Sequence, residues 1–260
     1  MAAGQPFDLE GCDSLIHLGY RLPLTTNDSE RIAEEFATNV ADTLHLLREA
    51  ERHGIEHVCF ASSALVYRPS LEPAVEDGAT EPQNAYAVAK LAQEACIRFF
   101  SRRTGRPTAI LRLTTVYGPG ERVSRAVPNF IRSALRQQPL VLDGLGRQPF
   151  DLVYVADVAQ AFVRATAAMA DGTFNIGSGR LCTPRELAER VIALCGEKLP
   201  IIEDNRRKER GGAACDIRRA KRAFNFRADT TLDEGLAAEI AWLRDEEQSL
   251  ARMAAAALPR

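Results

Sequence analysis

Short apolar runs alternate with longer helical stretches over the first 113 residues, and this alternation limits the folds open to the chain. SLIHLGY (14–20), HVCFAS (57–62) and PTAILRL (107–113) have the length and composition of buried strands. Between them lie DSERIAEEFATNVADTLHLLREAERHG (28–54) and AYAVAKLAQEACIRFFSRRTG (85–105), each with helical periodicity and a glycine stop. Apolar strands separated by helices predict the α/β class: a parallel sheet with flanking helices.

After VYGPG (116–120) the pattern loosens. VSRAVPNFIRSALRQQ reads as a helix. PFDLVYVADVAQAFVRATAAM reads as a strand followed by a helix, with Asp157 at the helix start. GTFNIGSG is a strand and turn. TPRELAERVIALCG is a helix with Thr183 as its cap and Pro184 at its first position. The expected organisation is a sheet domain over 1–120 and a smaller lobe over most of 121–260, with strand and helix 150–180 returning to the sheet.

Composition removes several function classes. The 260 residues carry a net charge of −2 and are 46% hydrophobic, ample for a buried core. A near-neutral balance gives no reason to expect nucleic acid, and DNRRKERGG (204–212) reads as a solvated loop. Six scattered cysteines and four histidines fit no metal spacing, so no metal site is expected and the thiols read as reduced. No run approaches the ~18 apolar residues of a membrane span, and MAAGQPFDLEGCD lacks the basic start and apolar core of a signal peptide. The expectation is a cytoplasmic protein with no membrane partner.

NAYAVAKLAQE (84–94) carries the chemistry. Tyr86 and Lys90 stand four residues apart, on one helix face, with only Ala87, Val88 and Ala89 between them. A free phenol has a pKa near ~10 and is a poor base at neutral pH. A nearby ammonium favours the phenolate, so the pair can take a proton from a sugar or alcohol hydroxyl. The same pattern also arises as plain helix decoration. Upstream, FASSALVY (60–67) runs from strand to loop and sets Ser63 to hydrogen-bond the same substrate oxygen. Ser and Tyr at strand C-termini fit the place where ligands bind on open α/β sheets.

These segments together resemble the extended short-chain dehydrogenase/reductase family, in its NAD-dependent epimerase/dehydratase branch. SLIHLGY resembles the family strand VIHLAA, NVADT (39–43) resembles NVxGT, and SSALVY resembles SSxxVYG. PQNAYAVAK resembles PxxxYxxSK, LRLTTVYGPG resembles RxxNVYGPG, DLVYVADVAQA resembles DFVYVDDVAxA, and FNIGSG resembles YNIGSG. CDIRRAKRAFNF with TLDEGLAAEIAW resembles the C-terminal ADxSKAxxxLGW…GL…W pattern. The resemblance implies a Rossmann-like dinucleotide-binding part over 1–120 and a C-terminal substrate lobe. It implies Ser63, Tyr86 and Lys90 as catalytic residues, with NAD or NADP as cofactor. Leu18, Gly19, Tyr20, Asn39 and Thr114, with Tyr86 and Lys90, would line that cofactor. Ser63, Thr115, Arg147 and Arg210 would meet a sugar or nucleotide-sugar substrate.

The departures narrow the reading. The family opens with a glycine-rich GxxGxxG turn whose backbone N–H groups cradle the pyrophosphate at a helix N-terminus. No such turn occurs here, and residue 13 stands where the family's fourth strand begins. The expectation is therefore an N-terminally truncated fold, short by two βα units of roughly 30 residues each. A start-site error, a truncated gene, or a chain that has shed its dinucleotide half would each give this pattern. The expected consequences are weakened cofactor binding, reduced stability, or pairing with another chain, such as a homodimer.

Three positions bear on substrate and reaction. Thr115 replaces a common asparagine, and Phe150 replaces the arginine that precedes Asp151. Dehydratases of this branch carry Asp-Glu directly after the catalytic hydroxyl residue, where this chain has Ala64 and Leu65. Neither can move a proton, which disfavours dehydration. Epimerisation and ketone reduction both remain, as does a non-catalytic interaction protein on the same fold.

Overall fold

The computed structural model describes residues 8–21, 29–68, 70, 72–206 and 214–256. In chain order the elements are β1 (Ser14–His17), α1 (Ser29–Arg52), β2 (His57–Ser63), α2 (Ala85–Thr104), β3 (Thr108–Leu113), β4 (Thr115–Tyr117), α3 (Ala126–Leu135) and β5 (Leu140–Asp143). There follow β6 (Phe150–Tyr154), α4 (Val155–Ala167), β7 (Gly172–Ile176), β8 (Leu181–Cys182), α5 (Pro184–Cys195), β9 (Ile201–Asp204), α6 (Arg218–Phe224) and α7 (Leu232–Ala256). The chain divides into two compact units: one of residues 8–114, 159–177 and 214–227, the other of 115–158, 178–206 and 228–256.

The first unit is built on a four-stranded, all-parallel sheet in the order β1-β2-β3-β7. Its strands are short apolar runs because helices cover them. Leu47 and Ala50 of α1, and Ile97 and Phe100 of α2, pack on Val58, Phe60 and Ile110. Each large side chain so buried contributes ~1.5–3 kcal/mol. α2 is closed at both ends by its own sequence. The Asn84 side chain accepts from Ala87 N–H, and Gly105, with φ of 71°, donates its N–H to Ser101 O. That left-handed C-cap favours glycine.

Two expectations are corrected. The strand expected over 14–20 ends at His17; farther on, Arg21 gives both backbone hydrogen bonds to a side chain, its N–H donating to Asn39 Oδ1 and its C=O accepting from Asn39 Nδ2. The strand at 150–154 does not return to the large sheet. β6 pairs in parallel with β4 and antiparallel with β8, and β7 is the strand that joins β3. Phe150, at the position of the expected arginine, is buried in the second unit's core.

The second unit holds the sheet β4-β6-β8 and the parallel pair β5-β9. Its core gathers Ile131, Leu140, Leu142, Leu187, Leu236 and Leu243 from α3, β5, α5 and α7. α5 begins with the expected cap. Thr183 and Glu186 form a reciprocal capping box around Pro184. On β6, Asp151 accepts hydrogen bonds from Ser178 N–H, Ser178 Oγ–H and Gly179 N–H, which fixes the GSG turn.

One group in this core is costly. Glu239 of α7 is 0% exposed, and neither carboxylate oxygen has a hydrogen-bond partner. Burial first, then the negative Glu121 nearby, pushes its pKa up to about 7, against the attraction of Arg132. A carboxyl whose folded pKa is raised favours the folded state while protonated, and loses that advantage as pH rises through the folded value. Glu239→Gln, an uncharged isostere, should therefore raise the Tm at pH 8 and leave it nearly unchanged at pH 4, below the ordinary carboxyl value of 4.5. Each kcal/mol recovered corresponds to roughly 2–4 °C for a chain of this size. Thermal unfolding at both pH values checks this, and an equal gain at the two would contradict the assignment.

Candidate active site

Ser63 closes β2 and caps the short 3-10 turn 64–66, its Oγ accepting from Leu65 N–H at 3.2 Å. The hydroxyl proton remains available to donate. Ser63 aligns with Leu113 on β3. The next residue, Thr114, donates its backbone N–H to Ile176 O at 2.9 Å, and its buried side-chain hydroxyl has no hydrogen-bond partner. An orphaned hydroxyl at the C-terminal end of a parallel strand is where a ligand group would complete the bonding.

α2 sets Tyr86 in its first turn and Lys90 one turn on. Lys90 is 3% exposed. Its Nζ donates to Ala61 O at 2.8 Å, so it is tied to the strand that carries Ser63. The ammonium lies 4.6 Å from the ring centroid of Tyr20, 4.9 Å from that of Phe60 and 5.8 Å from that of Tyr86. The Tyr20 and Tyr86 rings meet edge to face at 4.9 Å. Burial pushes the Lys90 pKa down to about 8, with Glu94 opposing the shift. Lys90 is thus a titrating partner for Tyr86 near neutral pH, and its charge is lost as pH rises through 8.

The remaining sequence candidates fall as follows. Leu18 and Gly19 follow β1, exposed, with Leu18 60% accessible. Asn39 is buried, with its amide engaged by Arg21 and by Glu35 O. It acts on the segment after β1 by holding that backbone. Thr115 lies in β4, half-buried, and Arg147 is exposed ahead of β6; both belong to the second unit. Arg210 lies outside the described residues.

Two polar networks behind the site escaped the sequence reading. His17 Nε2 lies 3.0 Å from Thr43 Oγ1. That hydroxyl donates to Asn39 O and accepts from Gln93 Nε2, so the His17 ring nitrogen must be the donor. Burial first, then the Lys90 charge, pushes the His17 pKa down to about 4. The second network centres on Glu94, which receives a bidentate pair from Arg112 at 2.9 and 2.8 Å and further bonds from Ser62 and Arg98. Burial alone would raise the Glu94 pKa, but these donors hold it below the usual carboxylate range. Arg112 also donates to Glu76 O and lies over the Tyr67 ring, whose hydroxyl donates to Asn175 Oδ1 at 2.6 Å. Asn175 in turn donates to Ala74 O. The loop after Ser63 is thereby fastened to β3 and β7.

Breaking that pair should be expensive. Arg112→Leu leaves Glu94 buried without its main partner and should cost ~3–5 kcal/mol. The double change Arg112→Leu with Glu94→Leu should cost less than the single one. Urea denaturation of both variants decides it: a double variant weaker than the single would show that the pair's mutual attraction is not what matters.

Residues 3–177 match the model of the NAD dependent epimerase/dehydratase family. The chain belongs to this family. A Bacillus subtilis relative described as the uncharacterized UDP-glucose epimerase YtcB is 29% identical over 238 residues, covering 90% of this chain and 75% of its own length. MoeE5, solved in complex with UDP-glucose and NAD, is 30% identical with a TM-score of 0.83, covering 92% of this chain and 81% of that one. The UDP-glucose 4-epimerase of Thermotoga maritima, solved with UDP-glucose, is 25% identical with a TM-score of 0.80, covering 90% and 78%. The Rossmann architecture of the family accounts for the parallel sheet of the first unit. Among the described residues there is no cluster of metal ligands and no helix long and apolar enough to cross a membrane.

Proposed function

We propose that the chain acts on a nucleotide sugar with NAD, moving a proton and a hydride at a ring hydroxyl through Ser63, Tyr86 and Lys90. The observation that carries this reading is the Lys90 hydrogen bond to Ala61 O, which ties Tyr86's helix to the strand ending in Ser63. MoeE5, which matches over most of this chain, was solved with UDP-glucose and NAD and supports the ligand class.

Each residue has a defined task. Ser63 donates its hydroxyl proton to the substrate oxygen while its own oxygen is held by Leu65 N–H. Tyr86 takes the proton from the sugar hydroxyl and returns it. Lys90, charged below about pH 8, favours the phenolate. The residues present fit the nicotinamide-ribose end of the cofactor: Lys90, Tyr86 and the unpartnered hydroxyl of Thr114 would hold it, with Leu18 and Gly19 alongside. When bound, NAD supplies the acceptance and return of hydride. Among the described residues no glycine-rich turn joins a strand to a helix N-terminus, so we infer cofactor binding weaker than micromolar, measurable by calorimetry. Ala64 and Leu65 open the turn beside Ser63 and carry no acid, which favours epimerisation or ketone reduction over dehydration.

A nucleotide-sugar panel with added NAD or NADH tests the reaction. Epimerisation returns the hydride and leaves no net reduced cofactor, whereas reduction consumes NADH in step with product. Tyr86→Phe keeps the ring packing and removes the proton carrier, so turnover should fall by ~10²–10⁴ with the fold intact by circular dichroism. Near-full turnover in that variant would rule out the assignment.

The pH profile gives an independent check. Wild-type activity should decline as pH rises through about 8, where Lys90 loses its charge. Lys90→Ala should be slower, with its profile displaced to higher pH, because the phenol then loses the charge of Lys90. A profile unmoved by Lys90→Ala would mean that the pair is helix decoration.

A further inference from the structure

We propose that Tyr20 is a positioning residue for this site, carrying the Lys90 ammonium on its ring face and seating the Tyr86 ring against its edge. This rests on the reading of Tyr86 and Lys90 given above. Tyr20 contacts both members of the pair at once: Lys90 Nζ is 4.6 Å from its centroid, and the Tyr86 ring meets it at 4.9 Å, 75° from coplanar. A cation over a ring face is attracted by the ring's quadrupole, and most strongly where water is excluded.

Tyr20 is held where it can do this. Asn39 clamps the backbone of Arg21, the next residue, with bonds of 2.8 and 3.0 Å, and is itself anchored to Glu35 O. The ring is therefore fixed from α1 while it touches two residues of α2. Tyr20 also stays a neutral phenol: burial first, then the charges of Tyr86 and Glu35, pushes its pKa up to about 12. Its contribution to Lys90 is a π face and the exclusion of water, and it does not compete for the substrate proton.

Among the described residues, the groups facing Lys90 from its neighbouring elements are few. His17 on β1 is neutral above about pH 4, and Glu94 lies one turn further along α2. Phe60 and Ala61 O come from β2. With alanine at position 20 the ammonium would keep that carbonyl and two rings, and would gain water. The ring at 20 thus opposes the desolvation of Lys90 by cation–π attraction while helping to cause it by covering the site.

Three substitutions separate these two effects. Tyr20→Phe keeps both ring and cover. Tyr20→Leu keeps the cover and loses the π face. Tyr20→Ala loses both. The chain has four lysines, so ε-13C lysine labelling of the full chain, with Lys90→Arg for assignment, reads the Lys90 titration without any turnover. The Phe variant should titrate as wild type. The Leu variant should titrate lower, by on the order of half a pKa unit or more. The Ala variant should titrate higher, toward the ordinary lysine value. Where the pH–rate profile is measurable, its basic limb should move with the Lys90 titration in the Leu variant, which a merely structural role would not do. A Leu variant that titrates with or above the Phe variant overturns the proposal. Lack of nucleotide-sugar turnover in the wild type would count against the reaction assigned to the site, and the lysine titration would still decide the role of Tyr20.

Discussion

The hydrogen bond from Lys90 Nζ to Ala61 O is the contact on which the site depends. A buried ammonium without partners would be costly enough to lose its proton or push its helix off the sheet. One carbonyl and three aromatic rings keep it in place. Because Ala61 lies two residues before Ser63 on β2, the same bond sets the spacing between the helix that carries Tyr86 and the strand that carries the serine. Two more inward residues of α2 extend the seam. Gln93 reaches Thr43 on α1, and Glu94 reaches Ser62 on β2 and Arg112 on β3. The N-terminal half of α2 is thus bound by polar contacts, and its C-terminal half by Ile97 and Phe100 in the apolar core.

This arrangement trades stability for definition. Isolated buried charges are costly, while a fully bonded network fixes one geometry. Glu94, Arg112, Tyr67 and Asn175 are bonded to one another and to the loop after Ser63, so the backbone near the proposed reacting group has little freedom. Glu239 in the second unit shows the opposite case, a buried carboxyl with no bonded partner whose cost varies with pH.

The regular elements were largely legible in the sequence. Strands at 57–62 and 107–113, the helix from 85 to its glycine stop, and the Thr183–Pro184 helix start appear with only small changes of boundary. Local rules suffice for these, because period, cap and stop are set by residues within a few positions. The return of 150–154 to the large sheet was misread, because an apolar strand carries no mark of which sheet it will join. The end of β1 was misread as well: residues 18–20 leave the ladder, and the backbone of Arg21 bonds to Asn39, eighteen residues away in sequence.

For the site, the sequence by itself determined the chemistry on offer: a serine at a strand end, and a tyrosine and lysine one helical turn apart. It also pointed to the C-terminal ends of parallel strands as their place, since strand–helix alternation leaves few other topologies. Only the tertiary structure decided what surrounds them. Gln93 and Glu94 are polar and carried no role in the sequence reading, yet both are buried together with Lys90. Tyr20 would pass for a lining residue, yet it lies against both Tyr86 and Lys90. The physical reason is that charge state follows burial and partners, and those are supplied by strands and helices far away in sequence. The same lysine that would be a permanent cation on an open helix becomes a group titrating near 8 once β2 and the segment after β1 close over it.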